Sequence, residues 1–296
     1  MEKHPDEEPS PRLAKGDRGR GEAGRRKEPM DAHPSPMYYG ELEPVPELKP
    51  WVAAYWQFQV ERDVGEIEHW IPLTGGVMLA WNPGAPVIAT GPRIEPFATR
   101  VRGGDLYWGV HLWPGAAPSL LGSRILGLRA AHRPVRDVLG TSWSAELEGA
   151  LEISVEGARG ESAMVEILAT ALLTLLADAA PLDEAVMTAV MRLIAAGGRL
   201  SSVELANSVH LSPRQFRRRF RAVTELTPKE FSRLQRMRSS AVEAVAEGPP
   251  RWVDVAARRG YADQAHLVRE FRRILGLTPI AFEAHAGRIR HGRIIR

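Results

Sequence analysis

The sequence predicts an α+β protein of two domains: an N-terminal antiparallel β barrel or sandwich with a helical connector, then an all-α domain with tandem helix-turn-helix motifs. Three observations support this class. Short apolar runs separated by Gly and Pro fill the first half of the 296-residue chain. Longer segments with helical periodicity follow. One segment of the C-terminal third then recurs once, about 50 residues further on.

These patterns divide the chain into five parts. They are a disordered tail over residues 1–35, a β-rich sensor or regulatory domain over 36–140, a helical connector over 141–181, a helix-turn-helix domain over 182–286 and a basic tail over 287–296. The first part mixes charges with Pro and Gly and has almost no apolar periodicity, which is typical of disorder.

Composition narrows the classes of protein. The chain has no cysteine, which excludes disulfides, thiol catalysis and Cys-based zinc sites. No apolar run approaches the roughly 18 residues of a membrane span, and the N-terminus lacks a signal-peptide core, so we expect a cytoplasmic protein with no membrane contact. The net charge is +3, but residues 190–296 hold 21 Lys and Arg against 9 Asp and Glu. This basic third predicts a polyanionic partner.

The β-rich domain offers few signals of chemistry. Seven of the eight tryptophans precede residue 150, where they suit either a pocket or an ordinary core. His69 and His111 lie in or beside predicted strands, with Glu95 and Asp105 near them in sequence, but their spacing is not diagnostic of a metal site. Because no phosphate loop, nucleophile elbow or HExxH motif occurs, we predict no catalytic residue, no metal and no cofactor.

The connector contains a helix over 161–177 that is apolar along its whole length. Such a wide stripe suits a helix with more than one buried contact. It predicts either packing within the chain or pairing with a second copy as a homodimer, and the sequence leaves both open.

The most informative stretch is the helix predicted to start at Ser212. Ser212 and Gln215 form a capping box, and Pro213 suits the first helical position. At 100° per residue, Phe216, Phe220 and Val223 share one stripe, which predicts a buried face. The opposite side carries four arginines, which suits the major groove of double-stranded DNA. The four are Arg214, Arg217, Arg218 and Arg221.

The repeat pairs this helix with a second one. Residues 203–206 correspond to 253–256, and Leu-Thr-Pro at 226–228 recurs at 277–279. Each copy reads as two helices joined by a tight turn. A linker helix with a capping box at Thr227 and Glu230 runs to about residue 247, roughly 30 Å, which is close to the 34 Å between adjacent major grooves on one face of DNA.

In the second copy, Asp263 is predicted to cap a helix that buries Leu267, Phe271 and Ile274. Its opposite side presents polar and basic residues. These are Gln264, His266, Arg269, Arg272 and Arg273.

The segment 260–279 (GYADQAHLVREFRRILGLTP) is close to the signature of the AraC/XylS family of bacterial transcription regulators, and about 100 residues share this resemblance. Tyr261 stands where that family usually has Phe, and His266 where Ser or Thr is common. The stretches 70–77, 91–92 and 109–116 are similar to recurring Pro-then-Gly, Gly-Pro and Pro-Gly-Ala stretches of a domain often joined to this one. The resemblance implies an N-terminal domain that senses a small-molecule effector or mediates dimerisation.

We therefore predict a sequence-specific transcription factor that is not an enzyme. Its partners would be double-stranded DNA and, if it is an activator, RNA polymerase. The residues expected to read bases are Arg214, Arg217, Arg218, Gln264, His266 and Arg269. Those expected to contact phosphates are Arg221, Arg236, Arg272 and Arg273. Two other hypotheses are an enzyme carrying a DNA-targeting module and a ligand-binding or scaffold protein, and the second of these fails to explain the repeat.

Overall fold

The computed structural model describes residues 35–157, 160–247 and 250–294. Apart from residue 35, the predicted disordered tail lies outside these ranges. The strands are β1 (Met37–Leu42), β2 (Val52–Val60), β3 (Ile67–Trp70), β4 (Met78–Trp81), β5 (Ile88–Thr90), β6 (Ala98–Val101), β7 (Leu106–Leu112), β8 (His132–Pro134) and β9 (Ile289–His291). The helices are α1 (Ala117–Leu121), α2 (Arg136–Leu139), α3 (Thr141–Glu156), α4 (Glu161–Leu175), α5 (Glu184–Ala195), α6 (Ser202–Ser208), α7 (Pro213–Thr224), α8 (Pro228–Glu247), α9 (Trp252–Arg258), α10 (Gln264–Leu275) and α11 (Pro279–Ala286).

Seven strands form one mixed sheet in the order β8-β5-β4-β7-β2-β1-β9. Its neighbours are antiparallel except for β1 and β9, and β3 and β6 form a separate antiparallel pair. The structure thus confirms the α+β prediction of a β-rich region followed by a helical one. The predicted barrel or sandwich describes this sheet only approximately, because within the described residues the edge strands β8 and β9 do not pair to close it.

The connector helices cover one face of this sheet. Met164, Leu168 and Leu172 of α4 are buried in one cluster with Leu79 and Val110 of the central strands. Burying each such side chain contributes about 1.5–3 kcal/mol, so the apolar stripe of α4 is largely satisfied within the chain.

The opposite face of the sheet carries a second cluster. Trp56 and Phe58 of β2 and Met78 of β4 pack there with Val101 of β6. Because both faces of the sheet are covered, the central strands have apolar residues on successive positions rather than in strict alternation.

The predicted basic tail includes β9. Ile289 and His291 are register partners of Met37 and Tyr39 in a parallel pairing. Beyond it, the Glu41 amide donates to the Arg293 carbonyl over 2.8 Å. The end of the chain is thereby joined to the edge of the N-terminal sheet.

In the helical domain, α5 to α11, the predicted caps are present. Side-chain oxygens of Ser201, Ser212 and Asp263 accept backbone hydrogen bonds at the starts of α6, α7 and α10. Thr227 and Glu230 form the capping box of α8. A buried cluster of phenylalanines holds the helices together, with ring centroids 5.5 Å apart for Phe216 and Phe220.

The β-rich region packs against the helical domain, and the whole of 34–296 forms one unit. Gly75 has a φ of +80°, and a Cβ placed there would lie 2.8 Å from the ring of Phe231 in α8. A Cβ at Gly115, whose φ is +89°, would lie 3.3 Å from Val223 of α7. These glycines belong to the stretches 70–77 and 109–116, so the Gly-containing loops form part of the contact between the two regions.

Candidate nucleic-acid interface

Helix α7 is firmly fixed at both ends. The Ser212 Oγ accepts from the Gln215 amide over 3.3 Å, and the Gln215 Oε1 accepts from the Ser212 amide over 3.1 Å. The helix ends at Glu225, which adopts the left-handed conformation with a φ of +58°. A helix with satisfied ends presents its side chains in a defined direction, as groove recognition requires.

The two sides of α7 differ as the sequence predicts. Phe216 and Phe220 are fully buried. The opposite side is an exposed surface that we call the arginine face. It consists of Arg214, Arg217, Arg218 and Arg221.

Three acidic side chains of the helical domain are paired with arginines outside the arginine face. Asp183 accepts from Arg219 over 2.7 Å, Glu270 accepts from Arg233 over 2.6 Å, and Glu243 accepts from Arg259 over 2.8 Å. Within the described residues, no ion pair involves the arginine face. Its positive charge therefore remains available to a polyanion.

The partnered carboxylates are held ionised. Burial opposes the ionisation of Glu243, but hydrogen bonds from Arg258 and Arg259 outweigh it and lower the pKa of this carboxyl. Burial likewise opposes ionisation of Glu270, while the hydrogen bond and charge of Arg233 lower its pKa overall. These pairs neutralise charge inside the domain and leave the exposed excess positive.

Helix α10 also has one buried and one exposed side, with fewer exposed arginines than α7. Gln264 at its first turn and Arg269, Arg272 and Arg273 along its length are exposed. His266 is half-buried, its Nδ1 accepts from the Ala262 amide over 3.3 Å, and its ring meets that of Tyr261 edge-on at 5.4 Å. Because this contact occupies Nδ1, only Nε2 of His266 is available to DNA.

Arg236 is placed differently from the other predicted phosphate residues. Its guanidinium donates to the carbonyl of Gly260 over 3.3 Å and to that of Gly198 over 3.4 Å, and it lies 5.8 Å from the ring centre of Tyr261. Arg236 thus contacts the turn before α10 from within the domain, and its expected phosphate contact stays a prediction.

The first and second copies are joined by α8, whose 20 residues span roughly 30 Å. Their turns match as well. His210, at the turn before α7, has a φ of +54°, and Gly260, at the turn before α10, has a φ of +72°. The two motifs therefore share one backbone plan, which only the second satisfies with glycine.

A group that sequence reasoning missed lies behind α7. The guanidinium of Arg129, in the loop before β8, donates to Glu230 over 2.7 Å and to the carbonyl of Glu225 over 3.2 Å. The Glu225 carboxylate accepts from the Gly127 amide over 2.7 Å. Since these partners lie about a hundred positions apart in the chain, no local pattern could have indicated the contact.

The residues that the structure describes form neither a metal-holding cluster nor a membrane-spanning helix. In the part of the chain that it describes, no group of three or more His, Asp or Glu side chains could hold a metal ion. His69 and His111 do not form such a group. No helix among the described residues is long and apolar enough to cross a membrane.

Comparisons with known proteins bear on both regions. A family model described as a helix-turn-helix domain matches residues 205–285, and one described as a domain of unknown function (DUF6597) matches residues 40–133. No curated protein matches the chain.

Similar solved structures include those of ToxT from Vibrio cholerae. The structure from strain O395 has 10% identity, covers 84% of this chain and 97% of its own, and has a TM-score of 0.42. The same protein bound to (E)-4-(8-methylnaphthalen-1-yl)but-3-enoic acid has 11% identity, coverage of 84% and 98%, and a TM-score of 0.42. A form bound to an unsaturated fatty acid, from strain SCE256, has 10% identity, coverage of 82% and 92%, and a TM-score of 0.34.

Proposed function

Because the chain is a DNA-binding transcription regulator of the AraC family, we propose that α7 and α10 enter two successive major grooves of one duplex. The observation that carries this proposal is the arginine face, exposed on a helix that is capped at its start and buried along its other side. The length of α8 supports it, since roughly 30 Å is close to the 34 Å between neighbouring groove segments.

Helix α7, the first proposed recognition helix, carries more exposed arginines than α10. On α7, Arg214, Arg217 and Arg218 are the residues proposed to read base edges, because Arg pairs bidentately with guanine. Arg221 lies one turn beyond Arg217, nearer the helix end, and is assigned to a phosphate.

Helix α10, the second proposed recognition helix, has a less charged exposed side than α7. Gln264, His266 through its Nε2, and Arg269 are the proposed base contacts on α10, and Arg272 and Arg273 are the proposed phosphate contacts. Fewer free arginines on this helix predict a weaker base preference in its half of the operator.

The experiment is a selection of duplexes from a random library with the full-length protein. We expect a motif with two conserved elements centred about 10 base pairs apart, the better conserved one for α7. Replacing Arg218 with Ala should blur one position of that element. Arg100→Ala, an exposed arginine of β6 far along the chain from either reader, is the matched control and should leave the motif unchanged. A single conserved element would contradict the two-groove arrangement.

The N-terminal region is proposed to regulate this reader by sensing an effector. The contacts within the chain favour sensing over pairing, because Met164, Leu168 and Leu172 of α4 are already buried in the core of the same chain. A homodimer remains the alternative, and light scattering of the purified protein with and without operator DNA distinguishes the two.

The transcriptional outcome follows from where the operator lies. If the selected motif overlaps promoters at which transcription rises, RNA polymerase is the partner that the bound protein recruits, and transcription with purified components tests that contact. We propose no catalytic activity, since DNA-binding regulators of this family are not enzymes.

A further inference from the structure

Arg93 is a buried cation of the β-rich region that has no partner carboxylate. It follows the Gly-Pro stretch 91–92 and is only 9% exposed. Among the described residues it forms no ion pair, and its buried Nε has no hydrogen-bond partner. Charged side chains are rarely buried without a partner, because burial removes the hydration of the charge. We therefore expect a counter-charge or a solvent molecule beside this guanidinium.

The neighbours of Arg93 compensate its charge only in part. The guanidinium carbon lies 3.9 Å from the ring centre of Phe97, so one flat face of the group is against an aromatic ring. Burial lowers the pKa of Arg93, and the charge of Glu95 raises it by a smaller amount. Glu95 is itself exposed, and its Oε2 accepts from the Ile94 amide over 3.1 Å. The positive charge of Arg93 thus has no close counter-ion in the part of the chain that the structure describes.

A small cavity lies beside Arg93, with a volume of about 20 Å³. This volume is sufficient for one water molecule or one ion of similar size, and it is too small for an organic molecule. The polar side chains that line the cavity are those of Arg93, Thr74 and Thr90, and no carboxylate of the described residues lines it. Because the Thr74 Oγ1 accepts from the Gly76 amide over 3.3 Å, its O–H is free to donate to an occupant. A guanidinium and two hydroxyl groups without a carboxylate are the donor set of an anion site.

The walls of the cavity come from two of the glycine-containing stretches, 70–77 and 91–92. A Cβ at Gly76 would lie 2.2 Å from a carbonyl oxygen of β7, and one at Gly91 would lie 1.9 Å from the carbonyl oxygen of Leu128. Since neither position has room for a side chain, close packing fixes the backbone around the cavity. The cavity is therefore formed before an ion enters, and little ordering is required when the ion binds.

The loop that lines the cavity also packs on the helical domain. The Gln235 Nε2 of α8 donates to the Thr74 carbonyl over 3.3 Å. Leu73 is buried in one cluster with Phe231 of α8. An occupant that contacts both Arg93 and Thr74 would therefore hold this loop in the position in which it packs on α8.

We propose that this cavity holds one small monovalent anion, of the size of chloride, bound by the guanidinium of Arg93 and the hydroxyls of Thr74 and Thr90. The anion balances the buried charge of Arg93 and joins the segment after β5 to the loop before β4. Because these donors are assembled only in the folded chain, the anion stabilises the fold in proportion to its occupancy. The site requires neither DNA nor an effector, so its test is independent of the proposed function.

Urea unfolding of the full-length protein without DNA tests the site, in sodium chloride and in sodium gluconate, whose anion is too large for the cavity. Arg93→Met keeps much of the length of the side chain and removes its charge. For a site with a dissociation constant of about 10 mM, about 0.2 M chloride lowers the unfolding equilibrium constant about twentyfold. The ratio of the unfolding constants in the two salts should therefore differ by this factor between the parent protein and Arg93→Met, a comparison that removes the general effects of the salts.

Arg100→Met is the matched control, because Arg100 is an exposed arginine of β6. It should keep the whole effect of chloride. Thr90→Val preserves the shape of the side chain and removes one donor, so the affinity for chloride should fall about three- to tenfold. This variant retains Arg93 and preserves the test if Arg93→Met fails to fold.

Crystals of the parent protein soaked in sodium bromide locate the ion without any variant. The anomalous signal of bromide should give a peak in the cavity, within hydrogen-bond distance of the Arg93 guanidinium. The proposal is overturned if the cavity has no peak, or if the two salts act alike on the parent and on Arg93→Met, which is the result that a water molecule in the cavity predicts. A peak without stabilisation that depends on Arg93 would indicate an adventitious ion only, and this too would overturn it.

Discussion

The contact of Arg129 with Glu230 should stabilise the packing of the β-rich region on the helical domain. The guanidinium and carboxylate meet as two forks, with contacts of 2.7 and 3.3 Å. Their side chains are 32% and 23% exposed, so solvent screens the pair only in part. Removing Arg129 leaves Glu230 without its charged partner, which is the costly way to break such a pair.

The magnitude follows from the pKa of Glu230. Burial opposes its ionisation, but hydrogen bonds from Arg129 and Thr227 outweigh burial and lower the pKa from 4.5 to about 2. That difference corresponds to about 3 kcal/mol in total. The Thr227 cap supplies part of it and screening reduces the rest, so we expect a coupling of about 1–2 kcal/mol between Arg129 and Glu230.

A double-mutant cycle measures this coupling by urea unfolding at neutral pH, with Arg129→Ala, Glu230→Gln and both together. Glutamine keeps an oxygen for the Thr227 cap, which isolates the charge. The exposed pair of Arg100 with Glu66 is the control and should couple by under about 0.5 kcal/mol. Because the folded pKa of Glu230 is depressed, the coupling is fully present above pH 4.5 and declines as the pH falls toward 2. A coupling no larger than that of the control pair would refute the reasoning.

The remaining predictions concern the proposed recognition helices α7 and α10, the packing at Gly276 and two buried histidines. Arg218→Ala should weaken operator binding by roughly 1–3 kcal/mol and relax the base preference at one position. Arg272→Ala should weaken binding to all DNA sequences alike and reduce the slope of log affinity against log salt concentration by about one. Fluorescence anisotropy measures both effects. Gly276→Ala should lower the free energy of unfolding by about 1–3 kcal/mol in urea, since φ is +77° and the new Cβ would lie 3.1 Å from Pro96. Burial, with smaller contributions from nearby charges, lowers the pKa of His69 to about 3 and that of His285 to about 4. The stabilisation that comes from these two neutral histidines is therefore fully present above pH 6.5 and is lost as the pH falls below it. At pH 5, protonation of each histidine in the unfolded chain should lower the free energy of unfolding by about 2 kcal/mol. In His69→Leu, the part of this pH dependence that comes from His69 should be missing when urea unfolding is measured at several pH values.

Local sequence was sufficient for the helical domain because its signals are local. The capping boxes at Ser201, Ser212 and Thr227 each involve a partner three residues away. The stripe of Phe216 and Phe220 follows from helical spacing alone. Elements whose start, end and buried side are all specified within about fifteen residues can be predicted without tertiary information.

Other features depend on contacts between distant parts of the chain. The strand β9 has only three residues, and its Ile-Arg-His sequence reads as part of a basic tail until β1 is beside it. Arg236 looks like any exposed arginine of α8, but carbonyls of Gly198 and Gly260 fix it inside the domain. The seven-stranded sheet likewise arises from strand pairings that no periodicity encodes.

The two copies of the helix-turn-helix differ most informatively where each recognition helix ends. Glu225 after α7 and Gly276 after α10 occupy equivalent left-handed positions. At the first, the Glu225 carboxylate and carbonyl accept hydrogen bonds from the loop at Gly127 and Arg129. At the second, Pro96 packs so closely that only glycine avoids a short contact. The β-rich region therefore contacts the same point of both readers, once through polar groups and once through an apolar one. We therefore expect a change in the packing of the β-rich region to act on α7 and α10 together, as regulation of the proposed two-groove reader would require.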